Sequence, residues 1–298
     1  AATPIGRGYL WRSADGGVNW TKCASTTAIS GGNPGVASPP ATAFKFRGPS
    51  IAVDPNNSDV VYIISAPGAV YVTYDAGATI TRIDALLAAI PSATVTAGSS
   101  PGGHTFTIGV NPVGTISGTL CCYDATNPLA VGSNCGDDVC SISGTTVNVT
   151  TIQRDVGPNG AGVATGDTVY FANGGSIAID KQSGTVSNPG GSGVISKIVY
   201  VAWGAQASNI WRMTNGAGNW AAMTGGPSTV PNKMKMSFDG DISGGGNNIL
   251  YACDGNATKV WRYVEQPPTG CPLAATTWTQ VVATNGGGAC AIAPHPTT

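Results

Sequence analysis

The sequence predicts an all-β fold, a β-propeller of four-stranded blades, on three observations. Strand-like segments of three kinds recur in the same order along the chain. Polar turns rich in glycine separate them, as in β-hairpins. Only 10% of the 298 residues are charged, against about 25% in ordinary globular domains, and such a composition does not favour long surface helices. A blade cannot bury both of its faces alone, so the repeated blades are expected to stack around an axis.

Each predicted blade opens on a short apolar inner strand. Its copies are residues 49–54, 175–180, 234–239 and 290–294. A second strand centred on tyrosine follows at 60–64, 198–202 and 249–253. A third strand, a glycine turn and the start of an outer strand follow at 10–20, 70–80 and 210–220, and at 260–265 with a longer turn before Trp278. A β-sandwich with coincidental repeats is the alternative architecture.

The two ends of the sequence are expected to share one blade. The chain begins at a third strand, and 289–294 reads as an inner strand. A Cys23–Cys290 bridge would lock this closure, which leaves no exposed strand edge. The total of about four blades is at the lower bound for propellers. A small closed ring, a partial ring completed by another chain and an excerpt of a longer polypeptide all stay open.

The middle of the chain does not follow the repeat. Residues 86–174 are predicted to form an inserted, cysteine-rich β subdomain between propeller parts at 1–85 and 175–298. A helical turn is expected at 84–90, and the predicted strands are 104–110, 116–123, 145–152 and 168–172. A subdomain of this size has a small core and gains from disulfide staples. The Gly/Pro/Ser-rich stretch 183–193 is predicted to be an exposed loop.

The eight cysteines favour disulfides and therefore an oxidising, extracellular location. The start at Ala1, without Met or a leader, fits a mature exported protein or a fragment. Within the cysteine cluster three pairings are open, and the nested one is preferred. The predicted pairs are Cys121–Cys140, Cys122–Cys135, Cys253–Cys271 and Cys23–Cys290.

Two of the glycine turns carry a recognisable motif. Ser13-Ala-Asp15-Gly-Gly17-Val-Asn-Trp20 matches the Asp-box pattern S/T-x-D-x-G-x-x-W, and the turn from Thr73 through Asp75 and Gly77 matches it with Ile80 in place of the aromatic residue. The chain outside the insert thus resembles the Asp-box propellers of the sialidase, xyloglucanase and sortilin-like group. The resemblance implies the fold more than the function, because such blades occur in hydrolases, receptors and structural proteins.

Turn physics explains the Asp-box residues without any catalytic role. Asp15 and Asp75 are expected to accept backbone N–H groups as Asx turns do, and Gly17 and Gly77 allow positive φ. Trp20 is expected to pack between neighbouring sheets. The same packing role is predicted for the aromatic residues at one repeat position, which are Trp11, Tyr71, Trp211 and Trp261.

A sialidase site is the first enzymatic possibility that the resemblance implies. It would require an arginine triad, a Tyr/Glu pair and an acidic Asp. Arg12, Arg212 and Arg262 occupy one repeat position, so they are expected at the same depth of separate blades rather than in a cluster. Glu265 is the only glutamate, and Phe46-Arg47-Gly48-Pro49 has glycine where the family motif Phe-Arg-Ile-Pro has isoleucine. The sequence therefore disfavours sialidase activity.

The best candidates for acid/base catalysis are three aspartates that follow inner strands. Asp54, Asp180 and Asp239 could face a central channel as the paired carboxylates of an inverting glycoside hydrolase, or could cap turns. Converging carboxylates could also bind Ca²⁺, and Asp137-Asp138 is a second candidate for that ion. With two histidines in the chain, a His-rich metal site is excluded. No cofactor is expected beyond a possible Ca²⁺ ion.

The leading functional hypothesis is a non-catalytic extracellular structural or adhesive propeller, in a cell-surface or filamentous assembly or facing glycans. It is expected to self-associate or to bind a partner subunit. The alternatives are a secreted glycoside hydrolase, endoglucanase-like more than sialidase-like, and a sortilin-like receptor fragment that binds peptides. The formal charge of −1 offers no basic excess for nucleic acid, and no apolar run approaches the roughly 20 residues of a membrane span.

Overall fold

The computed structural model describes residues 10–23, 50–64, 70–83, 91–124, 139–149, 162–171, 173–204, 210–216, 219–227, 234–238, 249–254, 259–264 and 278–283. In these ranges every regular element is a β-strand, and the strands pair in antiparallel sheets. This confirms the predicted all-β class. No helix in the same ranges has the length and apolar character needed to cross a membrane.

The first described residues form a hairpin that packs beside a four-stranded sheet. The N-terminal hairpin (residues 10–23) pairs β1 (Trp11–Arg12) with β2 (Thr21–Lys22). The first sheet has the order β3-β4-β5-β6. Its strands are β3 (Ser50–Asp54), β4 (Asn57–Ile64), β5 (Val70–Thr73) and β6 (Thr81–Arg82).

Six strands between the first and second sheets pair in a closed barrel of order β10-β11-β8-β7-β12-β9. They are β7 (Ser92–Ala97), β8 (Thr105–Ile108), β9 (Ile116–Asp124), β10 (Val139–Ser143), β11 (Thr146–Asn148) and β12 (Thr168–Phe171). The barrel has its own core, which includes Phe106, Ile142 and Phe171. Four strands overlap predicted ones, whereas β7 and β10 were not predicted. The domain boundaries at residues 86 and 174 stay a prediction, and the turn expected at 84–90 lies outside the described residues.

Two more four-stranded sheets follow, each in simple chain order. The second sheet comprises β13 (Asn173–Ser187), β14 (Val194–Gly204), β15 (Ile210–Thr214) and β16 (Asn219–Ala222). The third sheet comprises β17 (Met234–Phe238), β18 (Ile249–Asp254), β19 (Lys259–Val264) and β20 (Trp278–Ala283). Pairing of Val186 with Ile195 extends β13 into the stretch 183–193 that was predicted as a loop, so the connection is shorter than expected.

These layers pack front to back in chain order. We call the front face the side of each sheet that carries Trp11 or an equivalent residue (Tyr71, Trp211 or Trp261), and the back face the opposite side. Leu10, on the back of the hairpin, packs against Ile63 and Tyr71 on the front of the first sheet. The next core joins the back of the first sheet to the front of the second through Val60, Tyr62, Ile64, Val70, Val72, Ile177, Val199, Val201 and Met213.

The third interface repeats the second. The back of the second sheet, with Tyr200 and Ile210, packs against the front of the third, with Leu250 and Trp278. Strand β13 lies against both β3 and β17, so the first strands of the three sheets are neighbours. The result is a stack of four layers in which each described interface joins a back face to the front face of the next layer.

The predicted packing of the aromatic residues holds in the sheets and is wrong for the hairpin. Tyr71 is buried, and Trp211 and Trp261 pack against the cores of their sheets. Trp11 and Trp20 are exposed. The reason is positional: both lie on the front face of the first layer, which no described layer covers.

Candidate functional site

The turn of the N-terminal hairpin is held by a network centred on Asp15. The Ser13 hydroxyl donates to Asp15 Oδ1 at 2.8 Å and accepts the Gly17 N–H at 2.7 Å. Asn19 donates its backbone N–H to Oδ1 at 2.9 Å and its side-chain amide to Oδ2 at 2.6 Å. The Trp20 indole donates to the Gly17 carbonyl at 2.9 Å. These bonds satisfy polar groups of the turn within the turn itself.

The turn of the first sheet repeats the same network with different side chains. The Thr73 hydroxyl donates to Asp75 Oδ1 at 3.0 Å and accepts the Gly77 N–H at 2.7 Å. Thr79 donates its N–H to Oδ1 at 2.8 Å and its hydroxyl to Oδ2 at 2.7 Å. Both motifs therefore act as turn clamps, in the role that turn physics predicts for Asp15 and Asp75.

Sequence reasoning missed one member of this network. Asn19 and Thr79, each four residues after the Asp, donate twice to the carboxylate. A signal was present, because a side chain with a hydrogen-bond donor occupies this position in both motifs and again at Asn219. The pattern S/T-x-D-x-G-x-x-W leaves the position unspecified.

The clamps stabilise the ionised form of their carboxylates. The backbone N–H and side-chain amide of Asn19, with the Ser13 hydroxyl, lower the pKa of Asp15 to about 2. At Asp75 burial acts to raise the pKa, but the bonds from Thr79 and Thr73 outweigh it and the net shift is downward. A carboxyl whose pKa is depressed by folding stabilises the fold above its unfolded pKa, and this contribution disappears as the pH falls towards the folded value.

We expect Asn19→Ala to move the Asp15 pKa from about 2 upward towards the ordinary value near 4. The side-chain donor is lost, while the backbone N–H of residue 19 remains. Carboxyl-carbon NMR between pH 1 and 6 measures the shift, and Val18→Ala, an exposed neighbour in the same turn, is the control. An Asp15 that titrates near pH 4 in the native chain would contradict the clamp.

Asp54 fastens the first sheet to the second. It lies at the end of β3 and is 1% exposed. Ser196 of β14 donates its N–H to Oδ2 at 2.8 Å and its hydroxyl to Oδ1 at 3.0 Å. The Asn56 N–H donates to Oδ1 at 2.8 Å, and the Asn56 amide donates to Ser196 Oγ at 2.9 Å. A carboxylate enclosed in this way holds two sheets together.

Asp180 holds a local bend in the second sheet. It is 0% exposed and accepts the Ser183 N–H at 3.0 Å together with the Ser183 hydroxyl. The register of β13 against β14 shifts between Asp180 and Thr185. The Asp180 carboxylate therefore accepts a backbone N–H, that of Ser183, where the regular pairing of the two strands is interrupted. Asp54 and Asp180 thus match the turn-capping alternative for the aspartates that follow inner strands.

The other aspartates predicted as catalytic or Ca²⁺-binding residues, Asp239, Asp137 and Asp138, lie outside the described residues. Within the residues that the structure describes, no three His, Cys, Asp or Glu side chains form a cluster that could hold a metal ion.

The cysteines give a mixed outcome. Cys140 in the barrel and Cys253 in the third sheet are disulfide-bonded, and their partners lie outside the described side chains, so the pairings stay predictions. The predicted Cys23–Cys290 bridge is contradicted, because the Cys23 thiol is free. Cys23 lies on the back of the hairpin, beside Gly77 of the first sheet. Burial raises the pKa of this thiol, and Arg12 acts in the opposite direction.

An ion pair and further hydrogen bonds connect neighbouring layers. Arg12 on the hairpin forms an ion pair with Asp59 of the first sheet at 3.2 Å. The Tyr74 hydroxyl donates to the Gly216 carbonyl at 3.0 Å, and the Asn188 amide donates to the Tyr74 carbonyl at 2.9 Å. These contacts therefore join the hairpin to the first sheet and the first sheet to the second.

No family model matches the sequence, and no curated protein matches it significantly.

Proposed function

We propose that this protein is a non-catalytic extracellular β-propeller of the Asp-box group that serves as a structural or adhesive unit in a cell-surface or filamentous assembly. The proposal rests on one observation, the burial and hydrogen bonding of the aspartates that were candidates for catalysis. Asp54 and Asp180, the described members of the candidate catalytic set, are buried and hydrogen-bonded to serine. Glycoside hydrolysis needs two carboxyl groups that face a substrate, whereas these two hold sheets and bends.

The arrangement of the sheets supports the propeller part of the proposal. The three four-stranded antiparallel sheets follow chain order and pack in succession, with their first strands next to one another. Propeller blades have this construction. The clamps around Asp15 and Asp75 are the turns that an Asp-box motif implies.

The extracellular part of the proposal rests on cysteine chemistry and surface composition. Cys140 and Cys253 are disulfide-bonded, and disulfides persist in oxidising compartments. With 10% charged residues and a formal net charge of −1, the chain can form a surface that carries few charges. Such a surface has little electrostatic repulsion to oppose association with further copies or with neutral glycans.

Measurements of self-association, glycan binding and hydrolysis on the purified full chain test this function. Analytical ultracentrifugation over a wide concentration range is expected to show self-association, or a glycan array is expected to show binding. Release of reducing sugar from β-glucans and of sialic acid from sialosides is expected to stay at background. A protein that remains monomeric at high concentration and binds no glycan would refute the structural and adhesive role. Turnover of either substrate would establish the hydrolase instead.

A further inference from the structure

The two outer layers of the stack present faces that the inner layers bury. The hairpin is the first layer, and its front face carries Trp11 and Trp20. The third sheet is the last layer, and its back face carries Tyr251 and Arg262, which pair directly across β18 and β19. We call the first of these surfaces the head and the second the tail.

Residues at the same positions in the inner sheets are buried by a neighbouring layer, and the head has no such described layer. Trp11 is 51% exposed and Trp20 is 60% exposed, whereas Tyr71, at the position of Trp11 in the first sheet, is 2% exposed. The hairpin supplies only equivalents of the third and fourth strands, so it also leaves uncovered the part of the first sheet next to β1. There Ile51 is 54% exposed, while its equivalents Ile177 and Met236 are 6% and 9% exposed. Trp11 and Trp20 on the hairpin and Ile51 on the first sheet are thus exposed apolar side chains at this end of the stack, and we count Ile51 with the head.

The tail lacks cover in the same way. Tyr251 occupies the position of Tyr62 in the first sheet and Tyr200 in the second, both of which are completely buried by the next layer. Tyr251 itself is partly exposed, and Arg262 beside it is exposed. Cys253 on the same face is buried and disulfide-bonded, so the free part of the tail is the area around Tyr251 and Arg262.

We infer that the head of one chain docks on the tail of a second copy of this chain. Each of the three described interfaces between layers joins a back face to a front face, and the tail and the head are the faces of these two kinds that no described layer covers. Tryptophan, tyrosine and arginine, the residue types exposed at the head and the tail, are enriched at the energetic centres of protein interfaces. No described layer covers Trp11 and Trp20 at the head or Tyr251 and Arg262 at the tail, and the occupant that matches both is a second copy of the chain.

The symmetry of this contact determines the product. Head and tail are different surfaces, so the interface is heterologous and leaves a free head and a free tail on every dimer. Repeated addition then gives an open filament, or a ring if the rotation between copies closes. This inference rests on the proposed structural role and names the surfaces that would carry it.

Complementation between blocked variants tests the docking. Trp11→Glu blocks the head, and Tyr251→Glu blocks the tail; the exposed Arg262→Glu is a second tail variant that leaves the packed tyrosine in place. In sedimentation velocity the native chain is expected to form a concentration-dependent series. Each blocked variant alone is expected to sediment as a monomer, with a dissociation constant at least about tenfold higher. An equimolar mixture of a head variant and a tail variant is expected to stop at the dimer, because one intact head and one intact tail remain.

Val110→Glu is the matched control, since Val110 is an exposed valine of the barrel region outside the stack, and its assembly is expected to equal that of the native chain. Circular dichroism shows whether each variant keeps its β structure. Variants that assemble like the native chain would overturn the docking surfaces and leave the structural role standing. A native chain that is monomeric but binds glycans would overturn the assembly and leave the adhesive role standing. Cross-linking of head to tail within one monomer would show that the chain closes on itself, which also overturns the inference.

Discussion

Asp54→Ala is expected to lower the free energy of unfolding by about 3 kcal/mol. The substitution removes the acceptor of three hydrogen bonds, two from Ser196 and one from the Asn56 N–H. Ser196 is itself completely buried, so its N–H would lose a partner where water cannot easily replace it. An unpaired buried donor costs more than the net value of the lost bond. Urea denaturation followed by tryptophan fluorescence measures the change.

Asp59→Ala is the matched control for Asp54→Ala. Asp59 lies in the same sheet and pairs with Arg12 at 3.2 Å, but its side chain is 43% exposed. Exposed ion pairs contribute at most about 1 kcal/mol, so this variant is expected to lose less than that. A second comparison, Ser196→Ala, keeps the backbone donor and is expected to lie between the two. Equal losses for Asp54→Ala and Asp59→Ala would show that Asp54 does not fasten the sheets.

Gly77→Ala is expected to cost about 3 kcal/mol, through backbone strain together with a steric clash. Gly77 has a φ of +87°, a region that alanine rarely adopts, and an added Cβ would lie 2.5 Å from Cys23 Sγ and 2.6 Å from Cys23 Cβ. Because Cys23 belongs to the hairpin, the substitution pushes the first layer away from the first sheet. Thermal unfolding and the exposure of Cys23 to a thiol reagent both report this displacement.

The Asp-box of the hairpin supplies the control for Gly77→Ala. Gly17 occupies the same motif position with a φ of +96°, and the nearest atom to an added Cβ, in Trp20, is 3.9 Å away. Gly17→Ala therefore carries the strain without the clash and is expected to cost about 1 kcal/mol. Cys23→Gly in the Gly77→Ala background is expected to recover part of the difference. A cost for Gly77→Ala no larger than for Gly17→Ala would contradict the close approach of Cys23.

Features that depend on residues close together in the sequence could be predicted from it. Recurrence of a short apolar segment centred on tyrosine located the second strands at β4, β14 and β18, and each lies in a sheet in the expected order. The clamps of Asp15 and Asp75 were likewise predictable, because every partner lies within four residues.

Features that depend on contacts between residues far apart in the sequence could not be predicted from it. Ser196 lies 142 residues from Asp54, and no local pattern links the two. The barrel strand β7 reads Ser-Ala-Thr-Val-Thr-Ala, whose small and polar residues give a weak apolar signal. The exposure of Trp20 depends on whether another layer covers it, and the motif itself is the same in either case.

The front-to-back packing of the layers has a consequence for how the molecule comes apart. Each described interface joins neighbours in the stack, so the stability is approximately a sum of single-layer and nearest-neighbour contributions, as in a one-dimensional array. A perturbation at one end should then decay over a few layers instead of spreading through the whole chain. The two-stranded hairpin, with one described apolar neighbour, would fray first, whereas the second sheet, packed between two four-stranded sheets, would open last.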